Sequence, residues 1–369
     1  MQSLARNGYT AEQVKAALHS DTVMLTFRYD LLDKVNAFKK RLDNVLAGSV
    51  AYNALADIKR TARFLVEDDG TIDFLSDRIK PWVRVLMLDG GWVEFPQGVF
   101  LLTTPPRKVD SAGVITRDVE AYDLLQVLAD DKVTERYTVI AGTNYIAAVR
   151  AVLDGAGLHD QNLNPTTKTL PADRDWDLGT PKLKIINDLL GAIAYRSLWM
   201  DENGCAVAQP YVSPSDRAPE YDYRDDDKSV IFPEAEQGLD PFGIPNQWIL
   251  TVSEPDRPPL RSVYTNTNPN STTSTVSRGR TITDPLRQVE AADQASLDDQ
   301  AARLAFEASQ VFEEVALETG IMPFHSDSDV FTLRFSALGI NAKYSETEWS
   351  MDLKAGARMK HYIRRVVDV

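Results

Sequence analysis

The chain has one cysteine, Cys205, and four histidines in 369 residues. A single thiol closes no intrachain disulfide, and four scattered histidines supply no Cys/His framework for structural zinc. Stability has to come from packing. No apolar run approaches the roughly 20 residues that cross a bilayer. The longest candidate, Ile185 to Tyr195, is interrupted by Asn187 and Asp188. The opening MQSLARNGYTAEQVKAALHSD lacks the basic-then-apolar order of a secretory signal, so assembly in a cytoplasm without a membrane anchor is expected. Positive charge is also short: 40 Lys and Arg against 54 Asp and Glu leave a formal −14. That balance argues against a surface built to grip phosphate backbones, though not against DNA in passage. No glycine-rich phosphate loop is present, since Gly90-Gly91 reads as a hairpin and Arg278-Gly279-Arg280 as an isolated turn.

What is there is globular. An apolar content of 43% over this length predicts two to four compact units. The stretch Ile58 to Thr104 reads as four short strands. Ala62, Phe64 and Val66 alternate with Thr61, Arg63 and Leu65, and Glu67 to Gly70 turns the chain. Trp82 to Leu88, the tight turn at Asp89-Gly90-Gly91, Trp92 to Phe95 and Gly98 to Thr103 follow. With Leu25 to Tyr29, Ser49 to Asn53 and Ile115 to Ala121 they predict a first small β-barrel over residues 22–128. Residues 1–21 are a leading arm holding a short helix capped by Thr10. Asp123 is expected to cap a helix carrying Leu124, Leu125 and Leu128.

From 129 to 197 two helices dominate, predicting an α/β insert. Thr143 caps the first, which carries Ile146, Val149, Val152 and Leu153. Thr180, followed by Pro181, caps the second, with Leu183, Ile186, Leu190 and Ile193. The hairpin Tyr195 to Val212, turned at Asp201 to Gly204, is expected to open a second barrel formed by 198–232 and 313–369. Its later strands are Val315 to Thr319, Val330 to Phe335, Lys343 to Met351 and Tyr362 to Val367. Residues 233–312 read as a second, irregular β-rich insert, with a strand at Trp248 to Val252 and a helix at 296–312 capped by Ser296. Within it, the polar run Thr265 to Ser277 is expected to be a surface loop. The fold class is α+β, mainly β.

The chemistry-bearing candidates each carry a plain alternative. His325, Asp327 and Asp329 have the spacing to offer three metal ligands from one side of an extended segment, yet Ser and Asp are also turn residues before a strand. Glu67 to Gly70, Asp201 to Gly204 and Asp225 to Asp227 invite a calcium reading but lack the spaced-ligand loop with a distal Glu. Cys205 follows a turn with no evident His partner and is expected to pack. No catalytic, cofactor or metal residue is assigned. Lys354, Arg358, Lys360, Arg364 and Arg365 stand out in an acidic chain, as a solvated strand face or as contacts for an acidic partner.

The segments IKRTARF, DFLSDRIKPWVRV and GGWVEFPQGVFLLTTPPRK resemble the first barrel of phage tail hub proteins. GTNYIAAVRAVLDGAG, PKLKIINDLLGAIAYRSLWMDENG, NTNPNSTTSTVSRGRTI and WSMDLKAGARMKH extend the resemblance along nearly the whole chain. That family is similar to the baseplate hubs of contractile tails. The resemblance implies two tube-type β-barrels carrying two inserted domains, a homotrimer adapting a sixfold tail tube to a threefold tip, and a part in the DNA conduit of the virion. It implies as partners the distal tail protein and tail tube, the tape measure protein and other tip proteins, with no cofactor. A peptidoglycan-cleaving domain that often continues the family is expected to be absent here. The alternatives are a cell-wall-degrading tail enzyme and the hub of a phage-derived injection machine.

Overall fold

The computed structural model describes residues 1–239, 242–252, 259–289, 294–308 and 311–367. The protein is mainly β and divides into two compact units. One comprises Met1–Ala235 with Ala316–Ile363; the other comprises Glu236–Val315 and the segment from Arg364.

The first unit opens with α1 (Ala11–Leu18). Its N-cap Thr10 accepts from the Gln13 backbone while the Gln13 side chain accepts from the Thr10 backbone, a reciprocal cap that satisfies two otherwise free N–H groups. The leading segment is more than an arm: Val14, Ala17 and Leu18 are buried, and the Gln2 amide donates to Pro96 and Pro323 carbonyls. Nine strands follow: β1 (Leu25–Leu32), β2 (Phe38–Leu42), β3 (Val45–Asn53), β4 (Arg60–Glu67), β5 (Arg78–Leu86), β6 (Trp92–Pro96), β7 (Phe100–Leu102), β8 (Lys108–Val109) and β9 (Ile115–Asp123). β4 shows the expected alternation, with Ala62, Phe64 and Val66 inward. Phe64 meets Tyr29 and Phe100 edge-on, at ring-centre separations of 6.0 and 6.1 Å, the arrangement that aromatic quadrupoles favour.

Short α2 (Leu125–Asp130) comes next; its N-cap is Leu124, which has no side-chain cap, and Asp123, the last residue of β9, accepts from the Leu125 N–H without being the cap that the sequence predicted. The insert then holds β10 (Tyr137–Val139), α3 (Tyr145–Gly155), β11 (Gln161–Leu163), β12 (Arg174–Trp176), α4 (Lys182–Ala192), β13 (Trp199–Met200) and β14 (Ala206–Ala208). Asn144, not Thr143, caps α3 by accepting from Ile146 and Ala147. Pro181 is the first residue flanking α4, and the Thr180 hydroxyl donates to the Asp177 carbonyl instead of capping. α3 and α4 bury Val149, Leu153, Ile186 and Leu190 in one core with Leu198, Met200, Ala206 and Ala208. The hairpin at Asp201 to Gly204 therefore does not open the second strand group. β14 pairs antiparallel with β13 and parallel with β11, closing a three-stranded sheet on the helices.

The remaining strands are β15 (Tyr221–Arg224), β16 (Ile231–Leu239), β17 (Gln247–Val252), β18 (Leu260–Thr265), β19 (Arg287–Gln288), β20 (Val311–Gly320), β21 (Val330–Phe335), β22 (Ile340–Asp352) and β23 (Arg358–Val367). β16, β20 and β23 begin in one unit and end in the other. The two strand groups are continuous: β22 pairs antiparallel with β3, Trp349 opposite Tyr52, giving one fifteen-strand sheet in the order β16-β20-β23-β22-β3-β4-β9-β7-β5-β1-β2. β6, β8, β15 and β21 pair alongside this path.

In the second unit β18, β17 and β19 form a sheet covered by α6 (Gln294–Ala308), which buries Leu297, Ala301 and Ala305 against Trp248, Leu250 and Val252. The helix starts before Ser296, so that residue is inside it, and Val311 belongs to β20, not to a helix running to 312. The polar run Thr265 to Ser277 ends in the one-turn helix α5 (Thr275–Arg278) and is not simply solvated. Buried Asn246 donates to the Thr273 and Arg280 carbonyls and accepts from the Ile282 N–H, and Ser274 caps the turn.

Candidate functional site

Two features combine chemistry-bearing side chains: a buried ion cluster in the first unit, and the basic residues along β23, of which Arg358 and Lys360 belong to the first unit and Arg364 and Arg365 to the second. The cluster grows from the segment between β20 and β21, where His325 and Asp329 are fully buried. Glu346 on β22 and His361 on β23 occupy inward positions that alternation would give to apolar residues. Glu346 offers one oxygen to each imidazole, 2.6 Å to His325 Nδ1 and 2.6 Å to His361 Nδ1. Asp329 lies 3.2 Å from His325 Nδ1, accepts from the Ser326 N–H and pairs with the Met1 amine at 2.6 Å. The outer imidazole nitrogens meet hydroxyls: His325 Nε2 is 2.7 Å from Tyr223 and His361 Nε2 is 2.9 Å from Thr319. Asp327 is bonded by the Tyr52 hydroxyl and the Arg196 guanidinium.

The electrostatics follow from burial set against opposite charge. Burial pulls His325 down, but Glu346 and Asp329 outweigh it and hold the imidazole at about 9. Burial also dominates at His361 and lowers it despite Glu346. Burial raises carboxyl groups, yet Glu346 is lowered by His325 and His361, and Asp329 by the Met1 ammonium and His325. Asp327 is pushed up by burial and by Asp329.

The sequence singled out His325, Asp327 and Asp329 as one candidate ligand set; the structure instead unites His325 and Asp329 with Glu346 and His361, while Asp327 turns to Arg196. The donors His325, Glu346 and His361 are close enough to consider a cation. Their spacing is that of shared protons: Zn–N bonds of 2.0–2.1 Å at tetrahedral angles put ligand atoms about 3.3 Å apart, wider than the 2.6 Å contacts to Glu346. The only trace of Glu346 and His361 in the sequence is a polar residue at an inward strand position.

The acidic turns are occupied by their own backbones and neighbours. Asp69 and Asp201 accept from N–H groups two residues on, and Asp68 pairs with Arg107 and Arg117. Cys205 is half-buried and its thiol is pushed up to about 11 by burial and by Asp201, which disfavours the nucleophilic thiolate.

The five basic candidates do not form one patch. Lys354 is exposed in the turn before β23. Arg358 lies over the Phe232 ring and pairs with Glu318 at 2.8 Å and Glu234 at 3.6 Å, reaching across neighbouring strands. Lys360 is exposed two residues on and, with Arg358, lines a shallow groove along Ser49–Ala51. Arg364 is half-buried. Arg365 has the opposite strand parity and pairs with Glu313 at 2.8 Å.

No family model matches the chain, and no curated protein matches it. Solved structures do. A tail protein from Neisseria meningitidis MC58 is 12% identical, with 91% of this chain and 96% of that chain aligned at a TM-score of 0.64. The 43 kDa tail protein of prophage MuSo2 from Shewanella oneidensis is 11% identical over 92% of this chain and 98% of that chain, TM-score 0.63. A chain of the half-lidded Francisella PdpA-VgrG complex is 10% identical over 93% of this chain and 58% of that chain, TM-score 0.58. At such identities the shared property is the fold. The chain has the fold of phage tail proteins, and the resemblance read in its sequence extends to the tertiary structure.

Proposed function

We propose that the protein is a structural hub at the distal end of a phage tail. The observation that supports this best is the similarity of fold over almost the full length of two tail proteins, with TM-scores of 0.64 and 0.63. In this reading the two strand groups are two tube-type barrel domains joined through the pairing of β3 with β22, the first at 22–128 and the second built from β15, β21, β22 and β23, with the helical insert running from 129 through β14 and a second insert at 233–312. Three copies present six barrels to a sixfold tail tube and a threefold face to the tip. The partners are the distal tail protein and tail tube, the tape measure protein and other tip proteins, and DNA passes through the centre. Exposed Lys354 and Lys360, with Arg358, Arg364 and Arg365, serve partner contacts away from the conduit. The role is assembly, and no reaction is assigned to it. The protein would be built in the host cytoplasm and reside in the virion.

Similarity to a chain of the PdpA-VgrG complex favours a second reading, the hub of a phage-derived injection machine. Cryo-electron microscopy of tails from the source, with native mass spectrometry of the purified chain, tests both. Three copies at the end of a tail that carries a capsid are expected. Three copies in a headless particle would favour the second reading, and a single copy on the shaft would overturn both.

A further inference from the structure

The fifteen-strand sheet is open. Among the described residues β2 pairs only with β1, and β16 only with β20. Each free edge presents unpaired backbone N–H and C=O groups, a template for another strand. The edges differ in charge. β2 reads Phe38-Lys39-Lys40-Arg41-Leu42, and its first four side chains are exposed or half-buried. Lys39 is taken by Asp77 at 2.7 Å and Lys40 lies within electrostatic reach of Asp69, so exposed Arg41 with Lys40 sets the sign of the edge. Beside this strand Val35 and Phe38 are 71% and 63% exposed, an apolar element flanked by charge, as interaction sites are. β16 carries Glu234 and Glu236, both exposed. The Glu234 carboxylate is only loosely held, 3.6 Å from Arg358, and its side chain is 73% exposed. Pro233 has no N–H to donate and is tolerated at a sheet edge but not inside one.

Charged edges ordinarily prevent indiscriminate strand addition. Here the signs do something narrower. Like charges oppose β2 against β2 and β16 against β16, whereas β2 against β16 brings opposite charges together. We infer that the β2 edge of one copy pairs with the β16 edge of a second copy, continuing the sheet from subunit to subunit. The contact is head-to-tail, so repeated copies close into a ring when the rotation permits. The inference builds on the reading that copies of the chain assemble, and it names the surfaces.

The test uses the full chain, with sedimentation velocity across a concentration series. Reversing one edge, Lys40→Glu with Arg41→Glu, or Glu234→Lys with Glu236→Lys, is expected to weaken self-association about tenfold or more. Reversing all four residues in one chain is expected to restore it, because the signs are again opposed. A Lys40→Cys, Glu236→Cys chain is expected to give disulfide-linked multimers under mild oxidation. Unchanged far-ultraviolet circular dichroism and melting temperature show that the variants fold. Self-association indifferent to either single-edge reversal, or not rescued by the four-residue reversal, overturns the inference while leaving the hub reading standing. A wild-type chain that stays monomeric at every concentration also overturns the edge pairing. The hub reading is judged separately, by the position of the chain in tails.

Discussion

His325 is held charged between two buried carboxylates, and that makes its protonation a stability term. Its ordinary value of 6.5 is raised to about 9 in the fold. A raised folded value means that the stabilisation is complete below pH 6.5 and is lost as pH climbs through 9. The shift corresponds to about 3 kcal/mol across that window. The Met1 amine, raised from 8.0 to about 10 by Asp329 and Glu220 against its burial, adds a loss of the same sign at higher pH. Asp123, raised by burial from 3.8 to about 6, loses its contribution lower, as pH rises through 6. In urea unfolding at a series of pH values, His325→Gln is expected to be less stable than wild type by several kcal/mol near pH 6, since two carboxylates lose their buried partner. The gap should narrow as pH rises from 6.5 to 9. A gap that stays constant over this range would show that His325 is neutral in the folded protein.

Gly98, between β6 and β7, shows how an element junction depends on one backbone position. Its φ is +128°, a region that side chains rarely enter, and a Cβ there would lie 2.8 Å from Phe100 Cζ and 2.9 Å from Arg60 Cδ. Neither neighbour can yield easily. Phe100 is packed against Phe64, and Arg60 is fully buried, donating to the Gln97 carbonyl at 3.0 Å and lying over the Trp349 ring. Gly98→Ala is therefore expected to cost about 3 kcal/mol, from strain and overpacking together. Gly70→Ala is the comparison: its φ is +77° but nothing lies within 4 Å, so only the backbone cost applies. Denaturant midpoints of the two variants check this, and equal losses would show that the crowding at Gly98 is relieved by movement.

The molecule as a whole is acidic, with a formal −14 per chain. If three copies surround a DNA path, their charge repels phosphates and lets the duplex slide, whereas a basic lining would bind it with a steep dependence on salt. The purified assembly is expected to leave duplex DNA unretarded in gel shifts even at low ionic strength. Tight binding that weakens steeply with added salt would contradict a passive conduit and point to the basic side chains of β23 as its lining.

Much of the architecture is local and was legible in the chain. Period-2 alternation marks β4, Thr10 with Gln13 marks the start of α1, and Asp89-Gly90-Gly91 marks the turn between β5 and β6, because dihedral preference, capping and burial act over a few residues. The shortage of cysteine and basic residues likewise narrowed function before any geometry. Strand pairing across long stretches of sequence was not legible. β13 and β14 look like any hairpin, and only their packing on α3 and α4 assigns them to the insert. β22 and β3 carry no local mark of being partners, yet their pairing makes two strand groups into one sheet. His325, Glu346 and His361 lie on separate segments. Their meeting is decided by tertiary packing, which can bury charges only where opposite charges and hydrogen bonds arrive together.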